Sequence, residues 1–207
     1  MRRSLLLAGA VAGPLYIVVG TIEAIVRDGF DIRVHPLSVL ANGDGGWIHI
    51  LLLVVTGALT ALGALGVRPS VRRAAWIGLL VYGLGLVAAG FMRADPVDGF
   101  PIGTPDGPPT SVSWHGVGHL LAGAIGFIGL IVACVSVARM ARGRWGLFSL
   151  VTGVVYLVTF IGLGAGGGRP VANLAFTVAV ILGWAWVTTL LLRTAASSHT
   201  VLEEALS

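Results

Sequence analysis

Apolar residues fall in six long runs, near 4–26, 47–66, 74–92, 114–138, 145–164 and 170–192, and the polar residues gather between them. Within a run the apolar positions are nearly continuous and do not form a single stripe. That is the pattern of a helix with apolar surroundings on every side. Each run rises far enough, at ~1.5 Å per residue, to cross a hydrocarbon core of ~30 Å. The pattern predicts an all-α fold, a polytopic membrane bundle of six transmembrane helices in one domain over 1–207. The connections near 67–73 and 139–144 are short, so helices 2–3 and 4–5 are expected to be antiparallel hairpins. Those near 27–46 and 93–113 are long and lie on the opposite face, where function commonly collects. A tight glycine-rich turn is expected from Gly164 to Arg169, and a polar, frayed tail after Arg193 carrying Glu203 and Glu204.

Composition narrows the class. Mean hydropathy is +0.94. Only 11% of residues are charged, which excludes a soluble globular domain of this size. The net charge of +4 comes from arginine alone, and the arginines flank the runs singly or in small groups. That placement encodes topology and argues against a nucleic-acid partner. Nine arginines (2, 3, 68, 72, 73, 139, 142, 144 and 193) lie on the side of the termini, against four (27, 33, 93 and 169) on the other. Both termini are therefore expected in the cytoplasm, in a bacterial cytoplasmic membrane. Arg2 and Arg3 precede a run that continues past Pro14 to Val26, which reads as a retained helix and not a cleaved signal. The single cysteine, Cys134, supports neither a disulfide nor a thiolate metal cluster. Many of the 31 glycines lie inside runs, and Gly118, Ala122 and Gly126 make a small-residue ridge that would place helix 4 at the centre of the bundle. The partners implied are the lipid bilayer and an apolar small-molecule substrate. The oligomeric state is left open.

Seven of the nine acids and four of the five histidines lie in or beside the two long connections. The first cluster runs from Asp31 through His35 and Ser38 to Trp47 and His49. Trp47 suits an interfacial anchor, and His49, in the first turn of helix 2, suits a hydrogen bond to a loop carbonyl. The second cluster is Arg93, Asp95, Pro96, Asp98, Gly99, Phe100 and Pro101. Asp95 there is placed to take backbone N–H bonds in a turn, and Phe100 with its neighbouring prolines forms a stiff cover over the outer mouth. The third is Trp114, His115 and His119. The two histidines share a helix face at i,i+4, a spacing that suits a metal, an acid–base pair or plain packing. Glu23, near the end of helix 1, is costly in lipid unless it snorkels toward Arg27 or faces the bundle mouth as a working acid. Asn173 with Thr177, and Tyr156 with Thr159, are candidates for hydrogen bonds between helices.

Leu37-Ser38 leading to Gly46-Trp47, then Gly90-Phe91, Asp95-Pro96, Gly99, Pro101 and His115, resemble the six-helix membrane proteins of family 998 in the domain-of-unknown-function series. The resemblance covers about residues 15–190 and implies a six-span fold whose motifs converge on one face. It implies no activity. His115, His119 and Asp95 also bear a thinner likeness to membrane hydrolases of the alkaline ceramidase and adiponectin-receptor kind, which implies zinc. The chain departs from those in having no histidine pair in its last helix.

The reading is a membrane enzyme acting on a lipid-like or apolar substrate, with Asp95, Glu23 and His115 as catalytic groups. Trp47, His49, Trp114, Phe91 and Tyr16 would surround the substrate. His115, His119 and Asp95 would hold a divalent metal such as zinc, should one be bound. A metal-free alternative is a terpene cyclase in which Glu23 or Asp95 protonates an olefin and aromatic rings stabilise the cation. A transporter, a sensor and an assembly subunit are the non-enzymatic alternatives. The arginine asymmetry carries a test. Cysteines substituted near Gly43 and Asp98 are expected to react with an impermeant thiol reagent in intact cells, and one near Gly143 is expected to stay unlabelled; the reverse pattern would invert the topology.

Overall fold

The computed structural model describes residues 1–165 and 170–206, with side chains as far as 197. It holds six long helices: α1 (Arg2–Val26), α2 (Gly46–Val67), α3 (Arg73–Phe91), α4 (Trp114–Ala138), α5 (Gly143–Ala165) and α6 (Pro170–Leu206). All six are long and apolar enough to cross a membrane. Among the described residues no strand forms; the second loop contains a single isolated bridge between Val97 and Phe100. The predicted runs match the helices to within two residues, except at the end of α6. There the helical backbone continues to Leu206 where a frayed tail is predicted, because no glycine or proline stops it. The predicted turn reaching Arg169 and the side chains of Glu203 and Glu204 fall outside the described residues.

Each helix packs on its neighbours in sequence, and α6 closes on α1, so the bundle is a ring. Without a hydrophobic force between helices in lipid, association rests on close backbone approach and dispersion. Glycine supplies that approach at the seams. A Cβ on Gly9 of α1 would stand 2.7 Å from the Cα of Gly63 of α2, and one on Gly57 of α2 would stand 2.6 Å from the carbonyl of Gly83 of α3. One on Gly85 of α3 would stand 2.8 Å from the Ala122 carbonyl, where the predicted ridge of α4 meets its neighbour. The ridge thus seats α4 on α3 and does not place it at the centre. The apolar window of α4 is 33% buried, against 50% for α2, α3 and α6. The hairpins α2–α3 and α4–α5 form as the short connections predict.

The α1–α6 seam has a polar pin as well. Pro14 lies inside α1. It has no N–H to give, so the Ala10 carbonyl one turn back loses its helical partner. The hydroxyl of Thr188 on α6 donates to that carbonyl at 3.3 Å. On the α5–α6 seam the fully buried Trp186 donates its indole N–H to Ser149 Oγ at 2.9 Å. Most other hydroxyls bond within their own helix: Thr177 donates to the Asn173 carbonyl and Thr159 to that of Val155. The expected interhelical roles of Thr177 and Thr159 therefore give way to back-bonding, which a threonine in a helix achieves without a partner.

Gly83→Ala is expected to lower the melting temperature, because its Cβ meets the Gly57 carbonyl and the Ala61 nitrogen at 2.6 and 2.7 Å. Overpacking of this kind costs about 1–3 kcal/mol. Gly162→Ala, whose Cβ meets nothing within 4 Å, is expected to leave the melting temperature unchanged or raise it, since alanine is the better helix former by about 1 kcal/mol. Equal effects from the two would remove the seam argument.

Candidate functional site

The two long loops fold down onto one end of the ring and pack on each other. Val39, Leu40 and Phe100 form a small buried cluster with Phe30, Leu37, Ala94 and Val97 around it. Backbone polar groups in such a cap need partners, and four side chains provide them. Arg27 donates to the Leu40 and Asn42 carbonyls at 3.0 and 2.5 Å, with its guanidinium over the Phe100 ring. Asn42 donates to the Ala94 carbonyl at 3.0 Å, joining the first loop to the second. His35 accepts from the Asp31 N–H at 2.9 Å and donates from Nε2 to the Asp98 carbonyl at 2.8 Å. Asn173, at the start of α6, donates to the carbonyls of Ile32 and His35 at 2.8 and 3.0 Å. The predicted cover is thus a packed cap.

Beneath the cap lies a cavity of about 400 Å³ inside the ring. All three tyrosines of the chain, Tyr16, Tyr82 and Tyr156, line it, together with Phe127, Phe160, Phe176 and Trp184. The rings form a continuous wall: Tyr16 and Tyr82 lie 5.1 and 5.5 Å from Trp184, and Tyr156 lies 5.4 Å from Phe127 and 5.6 Å from Phe176. Toward the loop end Ser38, Asp95, His119 and Asn173 join the lining, and the tyrosine hydroxyls add polar atoms deeper in.

Asp95 is held by the N-terminus of α4. Its Oδ2 accepts the Ser113 N–H at 2.9 Å and its Oδ1 the Ser113 hydroxyl at 2.5 Å. The same hydroxyl caps α4 by accepting the Gly116 N–H at 3.0 Å. The Ser113 hydroxyl holds the Asp95 carboxyl below the usual carboxylate range, helped by the Ser113 N–H and the nearby His115. In the first loop, Arg33 grips Asp31 with two nitrogens and brings its pKa down to about 2. His119, one turn into α4, places Nδ1 at 2.9 and 2.8 Å from the carbonyls of Ala89 and Met92. Carbonyls only accept, so Nδ1 carries a hydrogen, and in the tautomer this selects Nε2 is the acceptor.

The three residues read as a metal set do not converge. His115 Nδ1 lies 2.8 Å from Ser113 Oγ and 3.1 Å from the Arg93 carbonyl, 3.8 Å from Asp95 Oδ1, and its ring is outside the cavity lining. His119 Nδ1 is committed to the end of α3. Among the described residues no group of three or more His, Cys, Asp or Glu is arranged to hold a metal. The donor set therefore does not fit a zinc centre. The shared helix face is real, but the Ser113 cap draws one imidazole outward and the end of α3 draws the other aside.

Glu23 neither snorkels nor meets Arg27. It is buried and its Oε2 lies 2.9 Å from Nδ1 of the fully buried His49, pinning α1 to α2. Glu23 Oε1 and His49 Nε2 have no partner. Tyr16 stacks edge-on against His49 at 6.1 Å and is the member of the expected substrate set that reaches the cavity. Trp47, Phe91 and Trp114 are 65, 73 and 78% exposed and do not line it. They stand at or next to the ends of their helices and point outward at the loop end, where aromatic rings anchor at a membrane interface. Tyr82, Phe127, Phe176, Trp184 and Asn173 were not assigned to the substrate. A signal existed in part, since a tyrosine or asparagine deep in an apolar run needs a partner inside the protein.

The model of a family described as "Protein of unknown function (DUF998)" matches residues 10–193. No curated protein and no solved structure matches the chain.

The Asp95 clamp makes stability depend on pH in a known direction. Its carboxyl titrates lower in the folded chain than in the unfolded one, so the unfolded state takes up the proton first. The stabilisation is present above the ordinary carboxylate pKa of about 3.9 and fades as pH falls through the lower folded value. Asp95→Asn is expected to melt below the wild type at pH 7, with the gap closing at pH 3. A gap that stays constant with pH would show that Asp95 does not carry this linkage.

Proposed function

We propose, for a chain that belongs to the DUF998 family of membrane-type proteins, that it takes a lipid-like, apolar molecule into the ring and acts on that molecule's polar end beneath the cap. The observation that supports this is the cavity: its wall is aromatic along the depth of the helices, and its carboxylate, imidazole and amide, from Asp95, His119 and Asn173, lie at the loop end. A site of that form matches an amphiphile in shape and in polarity. We place the loop end at the outer face of a bacterial cytoplasmic membrane, following the arginine asymmetry. His119 would act as the proton acceptor through Nε2, since Nδ1 is committed to carbonyls. Asp95, held ionised by Ser113, would position the polar end and favour positive charge developing there. Acid-initiated cyclisation is the weaker reading, although the aromatic wall would suit a cation. A carboxyl already ionised is a poor acid, and Glu23 does not line the cavity.

Gly123 offers a clean test. It lines the cavity, and a Cβ there meets only the Phe127 ring, at 3.8 Å. Gly123→Leu should fill the cavity without straining a seam. Protein purified in a mild detergent is expected to carry a co-purified apolar molecule, detected by native mass spectrometry. Its occupancy should drop at least about tenfold in Gly123→Leu, a loss of about 1.4 kcal/mol of binding, with melting temperature unchanged or higher. Unchanged occupancy in that variant would remove the cavity as the site.

A further inference from the structure

Toward the loop end the charged and amide groups of the described cavity lining offer acceptors and no cation, while the tyrosine hydroxyls, which can donate, line it as well. Asn173 Oδ1 is buried and has no partner. Its identity as oxygen is set by the amide's other end, because Nδ2 faces two carbonyls and must be the nitrogen. His119 presents Nε2, an acceptor in the neutral ring. Asp95 presents a carboxylate whose pKa is already lowered. Deeper lies the buried Tyr156 hydroxyl, beside that of Tyr82. Among the described residues no arginine lines the cavity. Arg27, which stands nearest in the chain to the cap's carbonyls, spends its guanidinium on the backbone of the first loop.

A buried acceptor without a donor is unfavourable, and so is an anion brought to a carboxylate with no cation beside it. The polar end that relieves both is a donor with positive charge. Resting on the cavity reading above, we infer that the occupant is a long-chain amine, bound as its ammonium among Asp95, Asn173 and His119, with its alkyl chain along the Tyr82, Phe127 and Trp184 rings. An ammonium has three N–H donors, one for each of these acceptors, and all three residues line the cavity. Phosphate and carboxylate amphiphiles are disfavoured by the same count.

The test compares radiolabelled tetradecylamine, tetradecanol and tetradecanoate for binding to the purified full chain in a non-ionic detergent. The amine is expected to bind at least about tenfold more tightly than the carboxylate, because its N–H groups meet acceptors while a second carboxylate beside Asp95 meets a like charge and, in the described lining, no cation. It should lose most of that preference in Asp95→Asn, and all three probes should lose binding in Gly123→Leu. Equal binding of amine and carboxylate to the wild type, still blocked by Gly123→Leu, would overturn the amine assignment and leave the cavity reading standing. Binding of no probe, or binding indifferent to Gly123→Leu, would overturn both. The wild-type comparison needs no variant to fold. Should Asp95→Asn fold poorly, Tyr156→Phe replaces it: amine preference is expected to persist there, because that hydroxyl lies below the ammonium, and its loss would move the polar end deeper than inferred.

Discussion

Backbone contact at glycine is the constraint from which the architecture follows. Lipid offers no hydrophobic drive between helices, so these six associate by bringing main chains together. Small residues occupy the seams, at Gly9 against Gly63, Gly57 against Gly83 and Gly85 against Gly126. A seam that tight has no room for large side chains, which must then point to lipid or into the ring. Six helices about 10 Å across, packed mainly on their neighbours, leave a space inside the ring. Trp184, Tyr82, Tyr156 and Phe127 fill part of it, and the cavity is what they leave. The same glycines that make the ring tight therefore make its interior hollow and aromatic.

A hollow ring needs an end. The loop backbones that close it carry carbonyls that cannot be left bare. Arg27, Asn42, His35 and Asn173 answer them, so four polar residues that could be read as chemistry serve mainly to hold the cap. Asn173 does both: its nitrogen holds the cap, and its oxygen is left without a partner on a residue that lines the cavity. That division ties occupancy to the cap. A molecule that satisfies Oδ1 does so on the residue that fastens the first loop to α6.

Much of this was legible in the sequence. The apolar runs locate the helices, and the clustering of acids and histidines locates the end at which the two long loops pack over the cavity. What the runs hide is facing. A helix apolar all round has no stripe to say which side turns inward, so Trp47, Phe91 and Trp114 could be placed at the right depth and not at the right azimuth. Tyr16 could be placed because its hydroxyl, in the middle of a run, has no acceptable environment in lipid. The spacing of His115 and His119 correctly put them on one face. It could not reveal that Ser113, capping α4 and binding Asp95, would separate the two rings' bonding directions.

Two carboxylate–imidazole neighbourhoods remain, and their surroundings assign them different work. Asp95 and His119 border a cavity that a molecule can enter. Glu23 and His49 are sealed between α1 and α2, at 3 and 0% exposure, outside the cavity lining. A pair so enclosed cannot meet a substrate, yet it constrains the fold. Sliding α1 along α2 by one residue turns Glu23 by about 100° around its helix and separates it from His49. Each group would then be buried alone in apolar surroundings, at a cost of about 1–3 kcal/mol or more apiece. The glycine seams are permissive, since a smooth surface of small residues tolerates sliding. A single polar contact at 2.9 Å is not. The seams bring α1 and α2 together, and Glu23 with His49 selects the register at which Tyr16 faces the cavity.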